Sequence, residues 1–145
     1  MIIERLKKEY IPALVKIEEE CFGKSAWKYE GFLSEIRNES SLFYCAVEGD
    51  EVLGCIAAND ALGQGFISKV SVNAKHRSKG IADRLLSFLE TEAKNREMFE
   101  LTLEVRPSNT PAIKLYEKHG FKKLGIRRKF YHDPEEDAMI MTKKL

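Results

Sequence analysis

The chain lacks an excess of either charge. Lys and Arg number 24, Asp and Glu 23, and the formal net charge is +1. A general nucleic-acid binder needs a basic surplus to neutralise phosphates, so direct nucleic-acid binding is not expected. Long apolar runs are missing too. A membrane-crossing helix needs about 20 consecutive apolar residues, and no stretch comes near that. The opening Met1-Ile2-Ile3-Glu4-Arg5 does not have the charged-then-apolar layout of a secretory leader. A cytoplasmic protein without a membrane partner is therefore expected. Cysteine is scarce: Cys21, Cys45 and Cys55 are odd in number and widely spaced, with no CxxC pair. His76, His119 and His132 are scattered as well. Three reduced, partly buried thiols and no metal site are the expectation. No repeat, low-complexity tract or Gly/Ser/Pro-rich linker divides the chain. With 145 residues, 43% of them hydrophobic, residues 1–145 are expected to form one domain with a sizeable core.

What is present is an alternation of short periodic segments. Ile2 to Leu6 reads as a strand. Ile11, Leu14, Val15 and Ile17 through Phe22 recur at helical spacing, with Pro12 tolerated in the first turn. After Gly23-Lys24-Ser25-Ala26, a second helix is predicted from about Trp27 to Arg37. Strands Leu42–Glu48 and Val52–Ala58 flank Gly49-Asp50, and Phe66–Val72 follows the turn at Gly63-Gln64-Gly65. Gly80 opens a helix with the stripe Ile81, Leu85, Phe88 and Leu89. Leu101–Val105 is a strand. The next helix is capped by Asn109, or by Thr110 with Pro111 in the first turn, and ends at Gly120. Lys122–Tyr131 and Ala138–Thr142 form a closing antiparallel pair. The order βααβββαβαββ predicts an α/β protein with a central sheet and helices on both faces.

Three places can carry chemistry. Arg77-Ser78-Lys79-Gly80-Ile81-Ala82 follows a strand and starts a helix. Free helix-start N–H groups, a glycine and two cations suit a pyrophosphate, although a basic turn has the same letters. It is neither a P-loop nor a GxGxxG fingerprint. In Leu101-Thr102-Leu103-Glu104-Val105, alternation puts Glu104 on the face opposite the three apolar residues. There it is a general base in a wet cleft or a salt-bridged strand residue. Tyr116 shares an apolar stripe with Ala112 and Ile113. It is a core tyrosine or a phenol able to donate a proton. Trp27 is an aromatic wall or a packing residue. Arg127-Arg128-Lys129 reads as a solvated strand edge. Tyr131 with Asp133, Glu135 and Glu136 is an exposed acidic turn or a lid over a cationic acceptor.

Taken together, RxxGxA at Arg77–Ala82 and LEVRPSNTPAIKLYEKHGF at Leu103–Phe121 resemble the GNAT acetyltransferases. The second segment, with Ile126-Arg127-Arg128-Lys129-Phe130-Tyr131 and Glu136-Asp137-Ala138-Met139-Ile140-Met141, is similar to the RimI-type enzymes, and the RxxGxA loop with Leu115-Tyr116-Glu117-Lys118 also resembles the archaeal N-terminal acetyltransferases. The strong likeness runs from Phe66 to Met141. It implies the GNAT fold, a mixed sheet of about seven strands, and acetyl-CoA as donor. It also implies roles. Backbone groups of Val70, Ser71 and Val72 would align the pantetheine arm. N–H groups of Ser78, Lys79, Gly80, Ile81, Ala82 and Asp83 would hold the pyrophosphate, with Arg77 as the first motif residue. Glu104 would accept the amine proton, Asn109 would bond near the cofactor, and Tyr116 would protonate the thiolate. Phe22, Trp27 and Tyr131 would face the acceptor, a protein or peptide N-terminus. Transfer would be direct, with no acyl-enzyme. The loop Phe22-Gly23-Lys24-Ser25-Ala26-Trp27 lacks the proline common in RimI-type enzymes, and Asn73-Ala74 replaces an acidic-Pro pair. A small-molecule amine, a lysine ε-amine or a non-catalytic acyl-CoA module stay open as alternatives.

Overall fold

Hydrophobic period decides the elements, and the computed structural model, which describes residues 1–145, places them as β1 (Ile2–Arg5), α1 (Ile11–Phe22), α2 (Tyr29–Arg37), β2 (Ser41–Glu48), β3 (Glu51–Ala61), β4 (Gln64–Val72), α3 (Ile81–Asn95), β5 (Glu100–Val105), α4 (Thr110–Lys118), β6 (Lys122–Tyr131) and β7 (Glu136–Lys144). The strands form one seven-stranded sheet in the order β1-β2-β3-β4-β5-β7-β6. Every neighbouring pair is antiparallel except β4 and β5. That parallel pair needs a crossover, which α3 supplies.

Helices cover both faces, each burying a stripe. On one face, Ile81, Leu85, Leu86 and Leu89 of α3 and Tyr116 of α4 pack on Ile56, Ile67, Leu101 and Leu103. On the other, Ile11, Leu14 and Ile17 of α1 and Phe32 of α2 pack on Phe43, Cys45, Cys55 and Ala57. No helix is long and apolar enough to cross a membrane.

Two irregularities position the site. In β4, Ile67 pairs with Ala58 but Lys69 pairs with Ala57, so Ser68 is an extra residue. This bulge reverses the alternation. Ile67 faces α3, yet Val70 and Val72 also pack on that side, while Lys69 and Ser71 turn to the α1 side. The second irregularity is a split. Pairing of β4 with β5 stops at Ile67 and Leu103. Beyond that point β4 still follows β3 as far as Val72, and β5 still follows β7 as far as Val105. A wedge therefore opens between the two strand ends.

Several boundaries differ from the sequence expectation. Helix α2 begins at Tyr29 because Lys28 is extended (φ −101°, ψ 173°) and the Trp27 N–H donates to Glu18. β3 and β4 run on to a tight turn at Leu62-Gly63, where the Gly63 N–H donates to Asp60 Oδ1 at 2.7 Å. Asn109, not Thr110, caps α4: its Oδ1 accepts the Ala112 N–H at 3.3 Å.

Candidate active site

The wedge exposes the β5-facing edge of β4 along Val70, Ser71 and Val72. Alternation turns the backbone groups of Val70 and Val72 to that side, where no strand pairs with them, and those of Ser71 to β3. Unpaired backbone groups seek a partner, and an extended polar chain such as an amide-bearing arm can supply one.

The chain then turns sharply into α3. Ser78 (φ +65°) and Gly80 (φ +78°) are both left-handed, and glycine takes that conformation without penalty. A Cβ on Gly80 would meet nothing within 4 Å, so the space beside it is open. The first helical bond is Arg84 N–H to Gly80 O. The N–H groups of Ile81, Ala82 and Asp83 therefore precede it and are free for an anion at the positive end of the dipole. No side chain caps this helix. The Arg77 side chain folds inward, its Nε donating to Val72 O at 3.4 Å and its Nη2 to Cys21 Sγ at 3.3 Å. Lys79 Nζ lies 3.4 Å from His76 Nδ1. The Asp83 carboxylate points away to α4, bonded to His119 Nε2 at 2.6 Å and Lys118 Nζ at 3.3 Å. Only the Asp83 backbone is free for an anion.

Glu104 and Tyr116 lie on opposite faces of the sheet. Glu104 projects on the side away from Leu103 and Val105, with its side chain only 9% exposed. Its Oε1 is 3.3 Å from Arg127 Nη1, and its Oε2 is buried with no partner. One oxygen is thus ion-paired, as the salt-bridge reading expects, and the other has no donor. Tyr116 packs among the α3-side core. Burial, and then the neighbouring Tyr131, push its phenol up to about 12, so it carries its proton at neutral pH. Tyr131 links the two, its own phenol pushed up first by burial and then by Glu104.

The β6–β7 hairpin that carries Tyr131 is tied down. Arg106 stacks 4.3 Å from the Tyr131 ring centroid and donates to His132 O and Pro134 O. Glu136 accepts from Arg106 and from the Ser108 N–H and hydroxyl. It is therefore a strut, not a free acid of an acidic lid. Phe22 and Trp27 lie on the α1 side, both against the ammonium of Lys69. A hollow of about 610 Å³ between α1 and the β2–β3 turn is lined by none of these residues.

Sequence reasoning missed three features: the bulge at Ser68, the contact of Arg127 with Glu104, and a buried pair of Glu18 and Lys69. The last had a signal. Glu18 stands at the helical spacing of Leu14 and Ile11, on an apolar stripe.

A mixed sheet split beside a glycine-opened helix, with a carboxylate and a protonated phenol at the split, is the architecture of an acyl-CoA-dependent N-acyltransferase. The chain belongs to the acetyltransferase (GNAT) family, whose pattern matches residues 4–121. It is an N-acetyltransferase with acetyl-CoA as donor. Among its relatives is the ribosomal protein bS18-alanine N-acetyltransferase of Escherichia coli K12, 30% identical over 97% of this chain and 95% of the relative. An N-alpha-acetyltransferase of Saccharolobus solfataricus is 33% identical over 82% of this chain and 78% of its own. The crystal structure of the ribosomal-protein-S18-alanine N-acetyltransferase from Escherichia coli superposes with a TM-score of 0.88, covering 99% of this chain and 92% of that one.

Proposed function

We propose that this enzyme acetylates the N-terminal α-amine of a protein, in the cytoplasm, by direct attack of the amine within a ternary complex. The observation that carries the mechanism is the split of β4 from β5, with Glu104 on one face and Tyr116 on the other. The bS18-alanine and N-alpha-acetyltransferase relatives support the choice of acceptor.

Bound acetyl-CoA supplies the acetyl group as an activated thioester. The free edge of Val70, Ser71 and Val72 orients the pantetheine arm and presents backbone donors to the carbonyl oxygen, where negative charge develops. The N–H groups of Ser78 through Asp83 hold the pyrophosphate, with Arg77 bracing the turn and Lys79 adding positive charge. Asn109 lies beside the cofactor at the start of α4. Phe22, Trp27 and Tyr131 line the acceptor side.

An amine attacks only when neutral. A free α-amine has a pKa of about 8, against about 10.4 for lysine, so it needs less help near neutral pH. The buried Oε2 of Glu104 takes the amine proton, directly or through one water. Tyr116 keeps its proton at Oη and gives it to the departing sulfur. A covalent acyl-cysteine route is disfavoured at two of the three thiols: burial raises both Cys45 and Cys55, the latter to about 12, which leaves them protonated and inert.

The test is mass spectrometry of the purified protein with acetyl-CoA and a library of short peptides. One acetyl gained on the α-amine is the expected result, with none on N-terminally blocked, lysine-containing versions. Acetylation of the blocked peptides alone would move the acceptor to a lysine ε-amine.

A further inference from the structure

The interior holds one ion pair that the reaction above does not use. Lys69 follows the bulge in β4 and is 6% exposed; Glu18 of α1 is 1% exposed. Strict alternation from Ile67 would send residue 69 into the α3-side core. The extra residue Ser68 turns it to the α1 side instead, where its ammonium meets Glu18 Oε1. The same Oε1 accepts the Trp27 backbone N–H at 3.2 Å. The ammonium also lies 4.3 Å from the Trp27 ring centroid and 5.2 Å from that of Phe22.

One buried cation therefore holds both aromatic rings and, through Glu18, the backbone of the loop between α1 and α2. Little else holds that loop: a single 3-10 turn closes with Ala26 N–H to Gly23 O, and Trp27 leans on Phe32 at 5.4 Å between centroids. Stability alone is a poor reason for such a pair, because apolar residues of similar volume commonly serve as well or better. Cation–π attraction is strongest when desolvated, as here. Lys69 adjoins Val70 in the chain, but its side chain turns to the α1 side, away from the strand edge at the wedge.

We propose that Lys69 is a positioning residue for the acceptor: paired with Glu18, its ammonium sets Phe22 and Trp27 in the geometry that captures the substrate amine, and it leaves acetyl-CoA binding alone. This rests on the reading that Phe22 and Trp27 face the acceptor.

Trp27 is the only tryptophan of the chain, so its fluorescence reports on the cluster without any substrate. Four proteins are compared by fluorescence, thermal unfolding and steady-state kinetics: wild type, Lys69→Met, Lys69→Arg, and the double variant Glu18→Met/Lys69→Met. Lys69→Met is expected to redden and expose Trp27 to acrylamide and to raise the acceptor KM about tenfold. The acetyl-CoA KM stays at its wild-type value. Lys69→Arg, which keeps the cation, restores most of the loss. The double variant removes both buried charges, so it unfolds near the wild-type temperature yet keeps the raised acceptor KM. If Lys69→Met does not fold, the double variant alone carries the test. A double variant with wild-type acceptor KM would overturn the proposal, making the pair structural only. An acetyl-CoA KM that moves as far as the acceptor KM would overturn it too. Trp27→Ala separates this from the underlying reading. If Trp27→Ala leaves the acceptor KM unchanged, the acceptor-side reading fails and the proposal with it. If Trp27→Ala raises it while Lys69→Met does not, only the role of Lys69 fails.

Discussion

The two walls of the wedge are built differently. The wall proposed for the donor, from Val70 to Asp83, is one continuous stretch of chain. It offers backbone groups: a strand edge without a partner strand, two left-handed residues and a helix start. The wall proposed for the acceptor is assembled from distant side chains held by charge. Glu18 reaches Lys69 across 51 positions, and Arg106 reaches Glu136 across 30. A donor that never changes is met by backbone, which mutation hardly alters. On the proposed reading, an acceptor that differs between enzymes is met by side chains, which substitution alters directly. Specificity can then vary while the donor site stays intact.

Substitutions can break this comparison, and the largest effect is expected at its centre. Glu104→Gln should lower kcat by about a thousandfold, within the range for loss of a general base, with acetyl-CoA affinity unchanged in calorimetry. Tyr116→Phe should lower kcat by about a hundredfold. Because burial pushes its phenol up to about 12, the wild-type rate should show no loss from Tyr116 ionisation up to pH 10; a Tyr116→Phe rate equal to wild type across pH would remove it from the acid role. Gly80→Glu should raise the acetyl-CoA KM at least about tenfold by putting a like charge beside the phosphates and straining a left-handed position. Gly80→Ala sharpens the point. A Cβ there has room, so it should cost only the backbone strain of about 1 kcal/mol in unfolding experiments.

On the acceptor wall, Arg106→Met should free the hairpin and raise the acceptor KM about threefold, leaving the acetyl-CoA KM alone. The smallest effect is on stability. His119 and then Lys118 hold the Asp83 carboxyl below its ordinary value of 3.8. A lowered folded-state value stabilises above pH 3.8 and is lost as pH falls through the folded value. Asp83→Asn should therefore lower the unfolding temperature slightly at pH 7, by no more than a few tenths of a kcal/mol for so solvent-exposed a carboxylate. The difference from wild type should close in acid.

Much of this was legible beforehand. The order of all eleven elements follows from hydrophobic period and from Gly and Pro punctuation, since these act within a few residues. The glycine-opened helix is legible for the same reason, as is the opposition of Glu104 to Leu103 and Val105. Boundaries shifted where a distant partner intervened. Trp27 stays out of α2 because Glu18, on another helix, takes its N–H. Glu136 reads as part of an acidic turn but is spent on Ser108 and Arg106, which sequence proximity could not reveal.

Local periodicity and local backbone freedom are enough to set the elements, the glycine-opened start of α3 and the faces of β5, so all three can be read along the chain. Tertiary structure alone decided where β4 parts from β5, that the bulge at Ser68 turns Lys69 toward Glu18, and that Glu104 has one oxygen paired and one free. Those features depend on which strands run out of partners and which charges meet in the interior. Residues far apart in the chain settle both only when they pack.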